Sequence, residues 1–419
     1  MKKTVLEKYL NQYAEPESSQ VEHLFKEKEK KYQACLIIPA FDETVVFFER
    51  LKRLPNTRSI LVIIVINQPE DSKPTQPNIS LFSSLQNSCK ETTTQKNLTL
   101  CKSSSFDFIL VDRFTSKNQI PKKQGVGLAR KIGADISCCC FQLGLLETPW
   151  TFSTDADAIL PDNYFSVLSR NSKPKKNIDA LVFNFRHIES SDICSRATQL
   201  YEQAIKYYQK GLQWAGSPYA FYTLGSTLAF SVTTYSKVRG FPKRAGGEDF
   251  YLLNKMAKVG NIEYFSDITL KIEPRTSERV PFGTGPAVKN IVTTLENNKK
   301  YCYYDAEIFE HLKEWIHWAT QILPEVLLSD KNDNHDWQKQ YIEAKKQLAS
   351  TNTAFIDSIQ FNDFLSHCVI QCSDKEAFIS QFHIWFDAFR TLKYIHFLQE
   401  KYLPNTPIEQ CLDVQNHWS

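Results

Sequence analysis

Three short, mainly apolar segments constrain the fold of this chain most strongly. Residues 35–41, 60–66 and 106–111 are largely aliphatic or aromatic, and each is followed by polar or acidic residues. Runs of this kind are typical of strands that are buried on both faces of a parallel sheet. Residues 44–54, between the first two segments, carry apolar side chains at helical spacing. The order strand, helix, strand therefore predicts an α/β fold with a Rossmann-like, mostly parallel central sheet flanked by helices.

Two carboxylates follow a fourth predicted strand. Residues 150–153 have strand composition, and Asp155 and Asp157 come directly after them, one residue apart. Because an open α/β sheet binds ligands at the carboxyl ends of its strands, these acids are the candidate centre of a site. Hard divalent cations prefer oxygen ligands, and such a cation can neutralise the charge that develops on a leaving diphosphate. Asp-x-Asp alone is a weak signal, since many copies cap helices or lie in solvated turns.

Two further segments place charges at predicted helix starts. Residues 124–133 form a glycine turn that leads into a helix with Arg130 and Lys131, and the amino end of such a helix can attract a diphosphate. The glycines match neither the dinucleotide fingerprint nor the P-loop pattern. Glu248 and Asp249 form a second acidic pair, which follows two glycines and opens a predicted amphipathic helix. Both segments are candidate parts of the same site as the first acidic pair.

The composition is that of a folded protein. The chain has 419 residues, of which 42% are hydrophobic and 23% charged, and these values fit two or three domains with sizeable cores. The formal net charge of +3 gives no reason to expect nucleic acid as a partner. Eleven cysteines without a Cys-x-x-Cys pair suggest neither a disulfide framework nor a zinc site, and they favour a reducing, cytoplasmic location.

The sequence has neither a secretion pattern nor a membrane-spanning pattern. The first ten residues carry scattered charges and lack the apolar core of a secretion signal. The aliphatic run at residues 60–66 is far shorter than the roughly 20 residues that cross a bilayer. We therefore expect no transmembrane segment, an expectation that still allows peripheral contact with a membrane.

Changes of pattern along the chain predict three regions. Residues 1–30 are charged and helix-prone, residues 31–290 carry the alternating strands and helices, and residues 291–419 have apolar side chains at helical spacing. Within the second region, residues 71–105 are rich in Ser, Thr, Asn and Gln and are interpreted as a polar surface insertion. The third region is predicted to be an α-helical extension, with its aromatic side chains in its own core.

With these residues in view, the sequence resembles the GT-A-fold glycosyltransferases that use nucleotide-sugar donors, and within them the large family 2. Four motifs follow the family's order: Ile-Ile-Pro-Ala-Phe-Asp-Glu at 37–43, Gly-Leu-Ala-Arg-Lys-Ile-Gly at 127–133, Thr-Asp-Ala-Asp at 154–157 and Gly-Glu-Asp at 247–249. The resemblance covers about residues 31–290. The ordered set is more specific than any one of its motifs.

The resemblance implies a metal-dependent transferase that moves a sugar from a UDP- or GDP-sugar to the hydroxyl of an unspecified acceptor. Asp155 and Asp157 would hold Mn²⁺ or Mg²⁺. Asp249, or as a second choice Glu248, would be the general base, and the transfer would invert the anomeric carbon. The family's donor-binding positions correspond here to Pro39, Ala40, Phe41, Glu43, Arg130, Asp155, Ala156 and Asp157.

Two departures from the family pattern leave details open. The family usually ends its second strand with an acid that reads the base, but Asn67 occupies that place here. Some relatives supply a downstream histidine as a third metal ligand, yet no histidine lies between His187 and His311. Water, phosphate or a carboxylate such as Glu273 would then complete the metal's ligands.

Arg275 and Arg279 lie in a Gly- and Pro-rich segment after the predicted helix that Asp249 opens. Arginines in this position can pair with diphosphate oxygens of the donor and close over it. They can equally be surface charges, and the sequence favours neither interpretation.

Other interpretations keep the fold but change the function. A retaining transferase similar to the mannosylglycerate-synthase-like enzymes, or a nucleotidyltransferase, would also place acids and a metal at strand ends. An inactive GT-A-like binding or scaffold protein is a further alternative, which the presence of Asp155, Asp157 and Asp249 disfavours. A processive membrane synthase is disfavoured because the chain lacks the Gln-x-x-Arg-Trp motif of such enzymes.

Overall fold

The structure is a computed structural model that describes residues 4–25, 31–169, 178–273, 283–328 and 337–418. The chain divides into two compact units. The first unit consists of Met1–Gln199 and Thr223–Asn290, and the second consists of Leu200–Tyr222 and Ile291–Ser419. No helix among the described residues is long and apolar enough to cross a membrane.

The first unit is built on one ten-stranded sheet. In chain order its strands are β1 Ala34–Ala40, β2 Ile60–Asn67, β3 Glu91–Gln95, β4 Leu98–Lys102, β5 Phe108–Arg113, β6 Trp150–Ser153, β7 Ala158–Ile159, β8 Ile178–His187, β9 Leu228–Ser231 and β10 Asn261–Ile272. Across the sheet they lie in the order β3-β4-β5-β2-β1-β6-β9-β8-β10-β7. The central strands β5, β2, β1 and β6 are parallel to one another, as are β8 and β10. The remaining neighbours are antiparallel.

Continuous burial explains why β1 and β2 form the centre of the sheet. Every residue of both strands is buried, and the strands pair in parallel with Ile37 opposite Ile63. On its other side Ile37 is opposite Ser153 of β6. Burial of each aliphatic side chain contributes roughly 1.5–3 kcal/mol, so unbroken apolar runs favour a position between two layers of helix.

The strand order creates a point at which the direction of winding reverses. Counted along the chain, the parallel strands β1, β2, β5 and β6 are first, second, third and fourth, and they lie in the spatial order third, second, first, fourth. The reversal therefore falls between β1 and β6. In open α/β sheets, ligands bind outside the carboxyl ends of the strands at such a switch point.

Helices cover both faces of this sheet. Those of the first unit, including two that continue into the second, are α1 Val5–Gln12, α2 Val46–Arg53, α3 Gln76–Asn87, α4 Gly125–Gln142, α5 Ile193–Trp214, α6 Val232–Lys237, α7 Glu248–Ala257 and α8 Thr284–Glu296. Helix α4 packs on β1 and β2, where a Cβ atom at Gly133 would lie 3.1 Å from the side chain of Ile37 and 3.7 Å from that of Val65. This packing brings the amino-terminal half of α4 to the edge where β1 and β6 end.

Residues 71–105, interpreted from the sequence as a polar surface insertion, contain regular structure. They contain α3 and the hairpin β3–β4, which extends the sheet beyond β5. The inner strand β4 carries Leu98 and Leu100, which are buried, whereas the outer strand β3 is largely exposed and accounts for the polar composition. Cys89, which follows the end of α3, and Cys101 of β4 form a disulfide with Cα atoms 5.2 Å apart, which the cysteine pattern did not predict.

The second unit is helical. Its elements are α9 Glu307–His317, a π-helical turn Trp318–Ile322, α10 Leu323–Leu328, α11 Trp337–Lys345, α12 Ser350–Asp357, α13 Phe361–Gln371, α14 Lys375–Trp385, α15 Ala388–Lys401, α16 Ile408–Gln415 and the two-residue strands β11 Cys302–Tyr303 and β12 Thr406–Pro407. Trp315 lies at the centre of its core, 5.2 Å from the ring of Phe361 and 5.7 Å from that of Phe382. The aromatic side chains at helical spacing thus pack against one another.

Candidate active site

Asp155 and Asp157 lie in a turn at the switch point. The amide of Thr154 donates to the main-chain oxygen of Ile37, so the chain leaves β6 still aligned with β1. The amide of Ala158 then donates to the main-chain oxygen of Asp155 and closes the turn. The side chain of Asp155 is 33% exposed, and Asp157 is half-buried. Ala156 between them is buried in the core, so it anchors the turn from below.

Arg130 joins this turn to the second acidic pair. Its Nη2 donates to Asp155 Oδ1 at 2.5 Å, and its Nε donates to Glu248 Oε1 at 2.7 Å. Its Nη1 donates to Ser153 Oγ at 2.9 Å and to the main-chain oxygen of Gly225 at 3.1 Å. We call Arg130, Ser153, Asp155, Gly225 and Glu248 the Arg130 cluster. The cluster brings together three of the residues that the sequence had marked as a site.

Close packing fixes the position of the guanidinium. Gly225 lies against it, and a Cβ atom there would stand 2.2 Å from Nη2 of Arg130. Gly127 lies on α4 about one turn before Arg130 and packs against the loop before α7. A Cβ atom at Gly127 would stand 2.5 Å from the main-chain oxygen of Arg244. The amide of Gly127 donates to that same oxygen. The glycines near the start of α4 therefore serve close packing in this structure, while Gly225 makes room for the arginine.

Helix α7 begins with the acidic pair. Gly247 precedes it with a left-handed φ of 68°, which glycine adopts without strain. Glu248 is buried and paired with Arg130, whereas Asp249 is partly buried and accepts a hydrogen bond from the amide of Phe250 at 2.7 Å. The two neighbouring carboxyl groups thus have different surroundings.

The protonation of these groups follows from their neighbours. Burial and the negative charge of Glu248 raise the pKa of Asp249 to about 7, against the opposing effect of Arg130. Burial alone would lower the pKa of Arg130, but the carboxylates of Asp155, Glu248 and Asp249 raise it overall, so the guanidinium stays charged. A carboxyl group with a pKa near neutrality can accept a proton and release it again under ordinary conditions.

The predicted nucleoside residues lie at the ends of β1 and β2. Pro39 and Ala40 are buried in β1, and Phe41 and Glu43 follow it half-buried. Asn67 ends β2, and its Nδ2 donates to the main-chain oxygen of Ala40 at 3.1 Å. The ends of these two neighbouring strands are therefore joined by a side chain.

Asn67 belongs to a network of polar groups. Its Nδ2 also donates to the main-chain oxygen of Val65 at 3.2 Å, and its own main-chain oxygen accepts from Asn78 Nδ2 at 3.2 Å. Asn78, fully buried on α3, accepts from the amide of Asp42 at 3.0 Å. Asp42 has a left-handed φ of 52° and receives a hydrogen bond from Thr75. The network fixes the loop that leaves β1.

Other residues that the sequence marked lie elsewhere or outside the described part of the chain. Arg275 and Arg279 fall outside the described residues. Glu273 pairs with Arg50, whose Nη2 is 2.7 Å from Glu273 Oε1. Lys131, next to Arg130, points to a different cluster, where its Nζ donates to Tyr9 and to the buried Asp135.

Sequence reasoning missed several polar groups around Asp155. Ser153 and Gly225 contact Arg130 from β6 and from the segment before β9, and only the fold brings them together. The hydroxyls of Thr154 and Tyr164 are buried, and neither has a hydrogen-bond partner among the described residues. Thr154 and Asp155 also line a small cavity with Arg50. In the sequence, the position of Thr154 directly before Asp155 was the only indication that one of these polar groups lies at the site.

The carboxylates of Asp155 and Asp157 are the candidate ligands for a divalent cation. Among the described residues, no group of three or more His, Cys, Asp or Glu side chains is placed to hold a metal ion. Asp155 and Asp157 supply two carboxylates, and one oxygen of Asp155 is on Arg130. Mg²⁺ and similar ions often bind to one or two carboxylates together with substrate phosphates, so the residues present fit a shared cation rather than a closed protein site.

Comparison with known proteins adds little to this geometry. No family model matches the sequence, and no curated protein matches it. Among solved structures, the chain is similar to the mannosyltransferase PcManGT from Pyrobaculum calidifontis in complex with GDP-Man and Mn²⁺, at 14% identity and a TM-score of 0.38. The match covers 90% of this chain and 93% of that chain. A similarity at this level assigns neither a family nor an activity.

Proposed function

We propose that this chain is a glycosyltransferase that moves a sugar from a nucleotide-diphosphate sugar to an acceptor hydroxyl. The observation that carries the proposal is the meeting of both acidic pairs through Arg130 at the switch point of the sheet. One pair lies where a donor diphosphate would bind, and the other contains a carboxyl group whose pKa is near neutrality. Together they provide the parts that hydroxyl activation and diphosphate departure require.

The donor would lie across the carboxyl ends of β1, β2 and β6. Pro39, Ala40, Phe41 and Glu43 would border the nucleoside, and Asn67 would lie at the base end. The turn from Asp155 through Ala156 to Asp157 would hold the ribose and diphosphate. This assignment follows the rule that open α/β sheets bind nucleotides in the crevice at a switch point.

Asp155 and Asp157 would hold Mn²⁺ or Mg²⁺ together with phosphate oxygens of the donor. When bound, such an ion neutralises the negative charge that develops on the departing diphosphate. Asp157 is the ligand to substitute in a binding test, because substitution of Asp155 would also remove an ion-pair partner of the buried Arg130.

Asp249 would be the general base. Its carboxylate would take the proton from the acceptor hydroxyl as that oxygen attacks the anomeric carbon, and a single displacement of this kind inverts the configuration. Glu248 is less suited to this role, because its carboxylate is buried and paired with Arg130 at 2.7 Å. The different surroundings of the two carboxyl groups thus favour Asp249 over its neighbour.

The proposal includes the GT-A assignment for residues 31–290, with residues 291–419 as a helical extension. A cytoplasmic location is part of it, since nine of the eleven cysteines are free and the Cys89–Cys101 disulfide is the exception.

Activity measurements test the proposed mechanism. The full chain would be incubated with a panel of UDP- and GDP-sugars and Mn²⁺, and release of the nucleoside diphosphate would be followed with and without candidate acceptors. Asp249→Asn is expected to abolish transfer while nucleotide binding is retained. Transfer that survives in Asp249→Asn would favour a retaining mechanism, and a complete lack of turnover and of nucleotide binding would remove the proposal.

A further inference from the structure

Arg130 uses nearly all of its hydrogen-bonding capacity inside the protein. A guanidinium has five N–H groups. Nε donates to Glu248, Nη1 to both Ser153 and Gly225, and Nη2 to Asp155. The side chain is only 4% exposed. An arginine with at most one N–H left for a ligand is poorly placed to bind a phosphate, although the family resemblance would put it beside the nucleotide.

The partners of Arg130 come from separate parts of the first unit. Ser153 ends β6, Asp155 lies in the turn after it, and Gly225 lies before β9. Glu248 is the first residue of α7. A single side chain on α4 therefore connects the turn that carries the first acidic pair to the helix that carries the second.

We propose that Arg130 is a positioning residue, which holds the turn of Asp155 and the start of helix α7 in register and sets the charge environment of Asp249. The consequence of this proposal for sugar transfer rests on the proposed function. The positioning role itself does not rest on it, because that role concerns only contacts within the chain. The role is distinct from nucleotide binding, since it acts through Asp155 and Glu248.

The charges around Asp249 make the inference measurable. Glu248 on the same helix and Asp155 in the facing turn raise the pKa of Asp249, whereas Arg130 on α4 and the amide of Phe250 lower it. Loss of the arginine's positive charge should therefore raise the pKa of Asp249 further. An opposite charge within a few ångströms typically shifts a carboxyl pKa by about one to three units.

The test is a carbon-13 NMR titration of the full chain labelled at the aspartate carboxyl carbon, with the Asp249 signal assigned by Asp249→Asn. In the wild type we expect a midpoint at about 7. Arg130→Gln should raise the midpoint by about one unit or more, while Arg130→Lys, which keeps the charge, should stay within about half a unit. If the role of Arg130 were purely structural, both substitutions would destabilise the protein, and the Asp249 midpoint would not differ between the two variants.

A second variant keeps the test decisive where Arg130→Gln does not fold. Gly225→Ala changes no charge but displaces the guanidinium, since its Cβ atom would meet Nη2 of Arg130 at 2.2 Å. It should also raise the Asp249 midpoint. An unchanged midpoint in whichever of these variants folds would overturn the inference. Calorimetric binding of UDP and GDP is measured separately, so that a wild type without nucleotide affinity would remove the proposed function while the titration still decides the role of Arg130.

Discussion

Gly225 and Arg130 are in such close contact that a single added carbon atom would separate them. A Cβ atom on Gly225 would stand 2.2 Å from Nη2 of Arg130 and 2.5 Å from its Cζ. The glycine therefore permits a buried arginine to reach acids in two different elements, and the geometry of the whole cluster depends on this contact.

Gly225→Ala should destabilise the protein by about 2 kcal/mol or more, because an added carbon forces a buried charged group out of place. Chemical denaturation of the full chain measures this change. Gly144→Ala is the matched control, since Gly144 has a left-handed φ of 72° but nothing within 4 Å of its Cβ position. The control should lose only about 1 kcal/mol from backbone strain. Equal losses in both variants would contradict the packing argument.

Glu248→Gln should cost about 3–5 kcal/mol of folding free energy, because it breaks a buried ion pair and leaves Arg130 with less compensation. Its side chain is only 4% exposed. Glu343→Gln provides the comparison, since Glu343 pairs with Lys346 at 2.7 Å but its side chain is 64% exposed. Exposed pairs of that kind contribute roughly 0–1 kcal/mol. Similar denaturation midpoints for the two variants would show that the Arg130 cluster is not a buried ion-pair network.

Asp249 should make the stability of the wild type fall as the pH rises from about 4 to 7. Its pKa in the folded protein is raised to about 7, above the value of about 3.9 expected in the unfolded chain, so the folded state binds the extra proton. This contribution is present at low pH and is lost as the pH passes through 7. Asp249→Asn removes it, so the stability of the variant relative to wild type should increase with pH across this range. A difference that does not change with pH would contradict the raised pKa.

The same carboxyl group sets the expected pH dependence of activity. A general base must be deprotonated, so kcat/KM should rise through a pKa of about 7 and change about tenfold per pH unit well below it. Initial rates at acceptor concentrations well below KM, once an acceptor is found, measure this limb. A limb centred near pH 4 would show that Asp249 is not the group that titrates.

Asn67→Asp should destabilise the protein and weaken nucleotide binding. Nδ2 of Asn67 donates to the main-chain oxygens of Ala40 and Val65, and a carboxylate would place negative charge against both. The loss should be about 1–3 kcal/mol, the usual cost of unsatisfied buried polar groups. Asn87→Asp at the exposed end of α3 is the control and should change stability by less than about 0.5 kcal/mol. A stable Asn67→Asp variant would show that the network tolerates an acid.

The sequence predicted the central strands well because their signal is local. Continuous aliphatic runs identify β1, β2 and β5, and the acids at 155 and 157 directly follow a run with strand composition. The edge hairpin β3–β4 was missed because its outer strand is polar and exposed, so it lacks an apolar pattern. The two-residue strand β7 is too short to leave any periodic signal.

The sequence predicted the acidic residues of the candidate site but not the contacts among its residues. The spacing of Asp155, Asp157 and Asp249 is visible in the sequence, whereas the burial of Arg130 is not, because most arginines are exposed. The contacts of Ser153 and Gly225 with that arginine join residues 23 and 95 positions away from it. Only the tertiary fold determines such long-range contacts.

Isothermal titration calorimetry with UDP and GDP, each with and without Mn²⁺, tests the central claim most directly. The full chain would be compared with Asp157→Ala and with the matched control Asp162→Ala, whose aspartate is exposed in the following segment. We predict that one nucleotide binds in the presence of Mn²⁺, that Asp157→Ala weakens this binding by about tenfold or more, or 1.4 kcal/mol, and that Asp162→Ala leaves it unchanged. Failure of both nucleotides to bind the wild type under any of these conditions would contradict the proposal that this chain uses a nucleotide-sugar donor.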